Sequence, residues 1–255
     1  MPNFLPDTNR QGLLVWGGER SVDYGMVVDA APAFDKPKRK QTIFNVPGRN
    51  GSVLFQENAF EDVTRSYHVW VAEETTEDSG GNISGTLEER VDAITAWLNS
   101  KTGYQKLEDN FEPDVYRLAY YSGGNDIANE MTQYGATTLT FTCRPERFLK
   151  SGETAVTVTT GATLNNPSRF ASKPFIHIEG SGTVELSIGS QTIVITGLID
   201  YINIDCERMN AYRETSENMN DHVAGAFPLM LSGNNVITIT GTTTLVQITP
   251  NYFTI

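Results

Sequence analysis

The chain has 255 residues, 39% of them hydrophobic, and a formal net charge of -12. That length accommodates two ordinary domains with packed cores, and the composition is too evenly mixed for a disordered chain. The acidic balance argues against a nucleic-acid-binding surface, and no apolar run approaches the ~20 residues that span a bilayer, so no membrane insertion is expected.

The charge is unevenly divided but keeps its sign: residues 1–150 hold 15 basic and 22 acidic side chains, the remainder 4 and 9. The start of the chain, Met-Pro-Asn-Phe-Leu-Pro-Asp, has neither the basic residues nor the apolar core of a signal peptide. Cys143 and Cys206 are the only cysteines. Each falls on a predicted inward strand face, so the expectation is two buried free thiols in a protein assembled in a reducing cytoplasm.

In chain order, residues 12–16 and 22–28 read as short strands around a Gly17-Gly18 turn. A basic segment with Lys36, Lys38, Arg39 and Lys40 follows, either a solvated loop or a contact for an acidic neighbour. Residues 42–46 and 52–55 are strand-like and flank Pro47-Gly48-Arg49-Asn50-Gly51, whose glycines and asparagine supply the positive φ of a hairpin. Residues 65–71 alternate, with Tyr67, Val69 and Val71 on one face and His68 and Trp70 on the other. An acidic loop over 73–85 contains Glu73, Glu74, Glu77 and Asp78.

Thr86, with Glu89 three residues on, is the signature of a helix N-terminus, and Leu87, Val91, Ile94, Trp97 and Leu98 recur at helical spacing. Gly103 is placed to end that helix. Residues 115–121 and 131–143 form the closing strand pair. In the latter, Leu139, Phe141 and Cys143 alternate with threonines until Arg144-Pro145, where the missing proline N–H is expected to stop the strand. This stretch reads as the last strand of a first domain, 1–150, and the hinge into a second, 151–255.

The second half is almost all strand signal. Residues 174–178, 184–188 with 193–195 across a Gly189-Ser190 turn, 202–206, 227–231, 236–240 and 244–249 make short antiparallel strands, with a polar, mainly loop segment over 210–225. The pattern is that of an antiparallel β-sandwich.

Recognisable chemistry is sparse. His68, His177 and His222 lie far apart with no partner at metal-ligand spacing, and no nucleophile elbow, phosphate-binding loop or dinucleotide fingerprint occurs. Asp205 and Glu207, two apart on a predicted strand, read as a solvated face and not a catalytic dyad. No catalytic, cofactor or metal residues are assigned.

Several stretches, in order, resemble one family: the N-terminal strand pair, Val46-Pro47-Gly48-Arg49-Asn50-Gly51, the helix ending in Trp97-Leu98, and Phe141-Thr142-Cys143-Arg144-Pro145. The segments 197–207 and 225–237 continue the likeness. Together they are similar to the distal tail proteins of long, non-contractile-tailed bacteriophages. The resemblance implies a mainly β fold, with a tail-tube-like N-terminal domain carrying one helix and a C-terminal galectin-like antiparallel β-sandwich.

It also implies a virion structural protein, not an enzyme, that forms a homohexameric ring at the distal end of the tail. The ring would join the tail tube protein to the tail-tip or tail-associated lysin protein, and its periphery can hold receptor-binding proteins. Genomic DNA would pass through the lumen without specific binding, since acidic walls repel phosphates. Candidate subunit-interface residues are the hairpin Gly48, Arg49, Asn50 and Gly51, the basic Lys36, Lys38, Arg39 and Lys40, and the acidic Glu73, Glu74, Glu77 and Asp78. Candidate contacts for peripheral proteins are Asn210, Glu214, Asn218, Asp221 and His222. The alternative reading is a carbohydrate-binding module for host cell-wall polysaccharide, with Tyr201, Tyr212 and Tyr252 as its available aromatic platforms.

Overall fold

The computed structural model describes residues 12–33, 36–72, 86–123, 128–131, 134–214 and 217–255. The acidic stretch with Glu73, Glu74, Glu77 and Asp78 lies outside the described residues. The chain divides into two compact units, residues 1–147 with 255, and residues 148–254.

Among the described residues of the first unit, ten strands begin: β1 (Leu14–Trp16), β2 (Glu19–Arg20), β3 (Met26–Val28), β4 (Arg39–Phe44), β5 (Val53–Phe60), β6 (Val63–Ala72), β7 (Gln105–Asp109), β8 (Val115–Tyr121), β9 (Ala128–Met131) and β10 (Tyr134–Leu149). All but β4 and β5 join one sheet ordered β2-β1-β7-β8-β10-β6-β3, with β9 paired to β10 off that path. Gly17 and Gly18, both at positive φ, close the tight β1–β2 turn. Residues 21–24 form a short 3-10 turn ahead of β3, so the second expected strand begins late.

Alternation decides which face is buried. Tyr67, Val69 and Val71 of β6 and Leu139, Phe141 and Cys143 of β10 turn inward, joined by Leu14, Trp16, Met26, Val28, Leu107 and Ala119. A helix, α1 (Leu87–Ser100), packs Ile94, Trp97 and Leu98 into this core. Trp97 stacks on Tyr24 with ring centroids 4.8 Å apart and meets Trp16 edge-on at 6.1 Å.

The helix starts as its sequence dictates: Thr86 Oγ1 accepts from Glu89 N at 3.3 Å, and the Glu89 carboxylate accepts from Thr86 N at 2.8 Å. It ends at Lys101 in extended conformation, two residues before Gly103. Thr86→Ala, which leaves the Glu89 N–H without its side-chain acceptor, should cost ~1 kcal/mol. Urea unfolding followed by tryptophan fluorescence checks this.

The core face also carries an ionic cluster. The buried Arg65 donates from Nε to Tyr67 Oη at 2.8 Å and from Nη2 to Asp109 Oδ2 at 2.9 Å, and lies 3.1 Å from Glu112 Oε2. Tyr67 Oη donates to the same Asp109 oxygen at 2.7 Å. Glu112 Oε2 accepts from Arg117 at 2.7 Å, and Glu112 Oε1 pairs with Arg147. The other Asp109 oxygen accepts from Phe111 N and Glu112 N at 3.0 and 2.9 Å. Burial, then the Asp109 charge, pushes the Tyr67 phenol well above its ordinary pKa. Burial works against the Arg65 charge, but Tyr67 and Asp109 outweigh it.

Contrary to expectation, Arg144-Pro145 does not end β10, which runs on to Leu149. The β6 partner stops at Val63 opposite Cys143, so the proline has no N–H to supply on that side. The boundary between the two units falls within β10, between Arg147 and Phe148.

The second unit contains β11 (Val156–Thr157), β12 (Thr163–Asn166), β13 (Phe175–Ile188), β14 (Gln191–Asp205), β15 (Asn210–Arg213), β16 (Glu217–Asn218), β17 (Val223–Gly225), β18 (Gly233–Thr249) and β19 (Phe253–Thr254). Its sheet is ordered β11-β18-β13-β14-β15-β16, with β12 on β18 and β17 on β14. The short strands expected at 174–178 with 184–188, and at 236–240 with 244–249, are continuous strands that bend. The bends are glycine sites where backbones cross closely. A Cβ on Gly180 would lie 2.3 Å from Thr242 O, and one on Gly241 2.3 Å from Thr183 O.

Both halves of each long strand then face one core. Ile176, Ile178, Leu186 and Ile188 of β13 meet Ile193, Ile195, Ile202 and Ile204 of β14, and Ile237, Val246 and Ile248 of β18. The sheet folds back on itself as an antiparallel sandwich.

Asp205 ends β14, and its Oδ1 accepts from Glu207 N and Arg208 N at 3.0 Å each, so Glu207 sits in a turn and not on the strand. The first residues of the 210–225 segment form a strand, β15, and the rest, expected as loop, also carries β16 and β17. Both cysteines are free and buried. Burial, with Asp205 nearby, pushes the Cys206 thiol up to about 12. Because a thiol in an unfolded chain ionises near ~8.5, this group draws stability away as pH rises above that value and has no effect below it.

Candidate subunit interface

The strands β4 and β5 form a two-stranded ribbon that joins neither larger sheet. Its register pairs Thr42 with Phe55, Ile43 with Leu54, and Phe44 with Val53. Since directly opposite residues share a face, Thr42, Phe44, Val53 and Phe55 lie on one side, and Ile43 and Leu54 on the other. Both faces are uncovered. Ile43 is 58% exposed, Phe44 56%, Leu54 49% and Phe55 60%. With Val46 beside the turn, five of the twelve large apolar side chains exposed among the described residues stand on this one ribbon.

A lone two-stranded ribbon is marginal in water, and an apolar patch of this kind marks an interaction surface. Covering each such side chain contributes ~1–2 kcal/mol, roughly half the value for full burial.

The sequence-derived interface residues are split by the structure. Gly48 and Gly51, at φ 81° and 80°, shape the ribbon's tip, where Arg49 N donates to Val46 O at 3.2 Å and Ser52 Oγ to Asn45 Oδ1 at 2.7 Å. Arg49 and Asn50 are exposed there. Lys36, Lys38, Arg39 and Lys40 are exposed along the ribbon's base, Arg39 lying over the Phe60 ring at 5.0 Å. Arg39 and Lys40 belong to β4 and not to a loop. Residues 36–60 thus hold five basic side chains and one acidic, against 14 and 30 in the rest of the chain.

Reading the sequence missed Ile43, Phe44, Leu54 and Phe55 as the exposed core of this surface. The signal was present: contiguous apolar residues with no polar alternate, which ordinarily marks a strand buried on both faces.

The residues assigned to peripheral contacts gather at one edge of the second unit's sheet. Asn210 Oδ1 accepts from Asn220 Nδ2 at 3.0 Å, and Asn218 Oδ1 from Asn220 N at 2.8 Å. Glu214, at φ 53°, donates its N–H to Tyr201 Oη at 3.2 Å. Asp221 and His222 share a short 3-10 turn, and His222 Nδ1 lies 2.8 Å from Thr196 O.

The other histidines are likewise held by ordinary partners. His68 Nδ1 and Trp70 Nε1 both meet Asp29 Oδ2 at 2.8 Å, and His177 Nδ1 lies 2.7 Å from Asn203 Oδ1. Among the described residues no group of three His, Cys, Asp or Glu could hold a metal ion. Of the three tyrosines offered as sugar platforms, Tyr252 is buried in the core, while Tyr201 and Tyr212 stay partly exposed.

No family model matches the sequence, and no curated protein matches it. Among solved structures, the chain is similar to the SPP1 Dit (gp 19.1) protein, described as a paradigm of the hub adsorption apparatus in phages infecting Gram-positive bacteria. The TM-score is 0.71 at 14% sequence identity, and the match covers 96% of this chain and 99% of that one. The chain therefore has the mainly β, two-domain fold of that Dit protein along nearly its whole length.

Proposed function

We propose that this chain is a structural protein of a phage tail tip, a distal tail protein that closes into a homohexameric ring. In this reading residues 1–150 are the ring-forming domain, and residues 151–255 are a galectin-like sandwich. The ring joins the tail tube protein to the tail-tip or tail-associated lysin protein. The edge bearing Asn210, Glu214, Asn218, Asp221 and His222 holds receptor-binding proteins. Genomic DNA passes through the lumen without specific binding, in keeping with a net charge of -12. The work is mechanical and needs no cofactor or catalytic group.

The observation that carries the reading is the uncovered apolar ribbon in a chain with a hub protein's fold. A ring requires a patch on each subunit that seeks a different patch on the next. The acidic residues Glu73, Glu74, Glu77 and Asp78 complement the ribbon's basic base in charge. Native mass spectrometry of the full chain at tens of micromolar should show a hexamer. A monomer throughout that range sinks the ring.

A further inference from the structure

We propose that the aromatic face of the β4–β5 ribbon docks on the Tyr104–Tyr120 patch of a neighbouring copy. This rests on the ring reading and names the surface that receives the ribbon.

Residues 36–60 carry a net +4, while the rest of the chain carries -16. Two ribbons brought face to face repel each other, whereas the remainder of any copy attracts a ribbon. The occupant of the ribbon's surface is thus a different part of the same chain on another molecule, which makes the contact head-to-tail.

Shape then narrows the choice. Outside the ribbon, the exposed large hydrophobic side chains of the first unit's described residues are Tyr104, 46% exposed, and Tyr120, 38% exposed. Their rings stand edge-on with centroids 5.5 Å apart. On the ribbon, Phe44 and Phe55 are diagonal neighbours on one face, with Lys40 further along the same side. Aromatic rings meet well in offset or edge-on arrangements, and tyrosine keeps its hydroxyl at the wet rim.

The patch also has the right sign. Asp62 and Glu146 stand near Tyr104: after burial, Asp62 is the largest charge raising its phenol pKa, with Glu146 adding to it and Arg144 working the other way. Arg144 is itself engaged by Glu146 at 3.3 Å. Finally, β5 has eight residues, so the ribbon reaches about 25 Å, enough to cross onto a neighbouring subunit.

The test is a cross-link in the full chain. Both native cysteines are buried, so Phe55→Cys combined with Tyr120→Cys should give, on mild oxidation, a ladder of covalent multimers. Either single variant should stay monomeric on a non-reducing gel. In parallel, Lys40→Glu should weaken assembly at least tenfold, and Asp62→Lys in the same chain should restore it. Dimers from Phe55→Cys alone mean ribbon-to-ribbon contact and overturn the proposal. A hexamer by native mass spectrometry, with neither ladder nor charge rescue, overturns the acceptor patch and leaves the ring standing. A monomeric parent chain removes both.

Discussion

Glu112→Gln should lower the stability of the first unit by about 3–5 kcal/mol, the usual cost of breaking a buried ion pair by removing one partner. Glu112 is the hub of the cluster, touching Arg65 at 3.1 Å, Arg117 at 2.7 Å and Arg147. Its side chain is 7% exposed, and those of Arg65 and Arg117 are 2% and 8% exposed. Glutamine keeps the volume and loses the charge. Arg117 and Arg147 would then lose this carboxylate partner, and Arg65 would keep only Asp109, which also accepts from Tyr67. Arginine does not escape by deprotonating, so the uncompensated charge stays in the folded state.

The measurement is unusually selective. All three tryptophans, Trp16, Trp70 and Trp97, lie in the first unit, so selectively excited tryptophan fluorescence in a urea titration reports that unit. A loss below ~1 kcal/mol would mean that the cluster is worth no more than exposed surface pairs.

Phe44→Asp combined with Phe55→Asp should abolish assembly while leaving both units folded. Each phenylalanine contributes ~1–2 kcal/mol at a covered contact, so losing two costs ~3 kcal/mol, about a hundredfold in association constant at every interface of the ring. The new carboxylates make this worse, because they face an acidic neighbour. Neither residue belongs to the core of the first unit. The expected result is therefore a monomer by native mass spectrometry with the fluorescence-monitored urea midpoint unchanged. A persistent hexamer would remove the ribbon from the interface.

What could be read early is what depends on near neighbours in sequence. The capping box at Thr86 and Glu89 closes over three residues, and the structure forms it as written. The inward faces of β6 and β10, with Tyr67, Val69, Leu139 and Phe141, follow from a two-residue period that each strand carries in itself. The same period placed Cys143 and Cys206 inside.

The misreadings have a common cause. Pro145 was expected to end a strand, but whether a missing N–H matters depends on which strand lies beside it, and β6 has already stopped there. Gly180 and Gly241 looked like gaps between short strands. They are bends in long ones, because each lies against a carbonyl from a distant part of the chain. Arg65 shares the inward face of Tyr67 and Val69, and what meets its charge there is Asp109, 44 residues away.

The sequence alone determined the class of elements, the buried stripe of each and the acidic character of the whole, since these rest on composition and on contacts a few residues long. Only the tertiary structure decided that the apolar residues of β4 and β5 go uncovered on both faces, while β6, β10, β13, β14 and β18 each turn an apolar face into a core. Burial is a property of what a chain brings together across long separations, and the same run of isoleucine, phenylalanine and leucine makes a core where a second layer closes over it and a docking surface where none does.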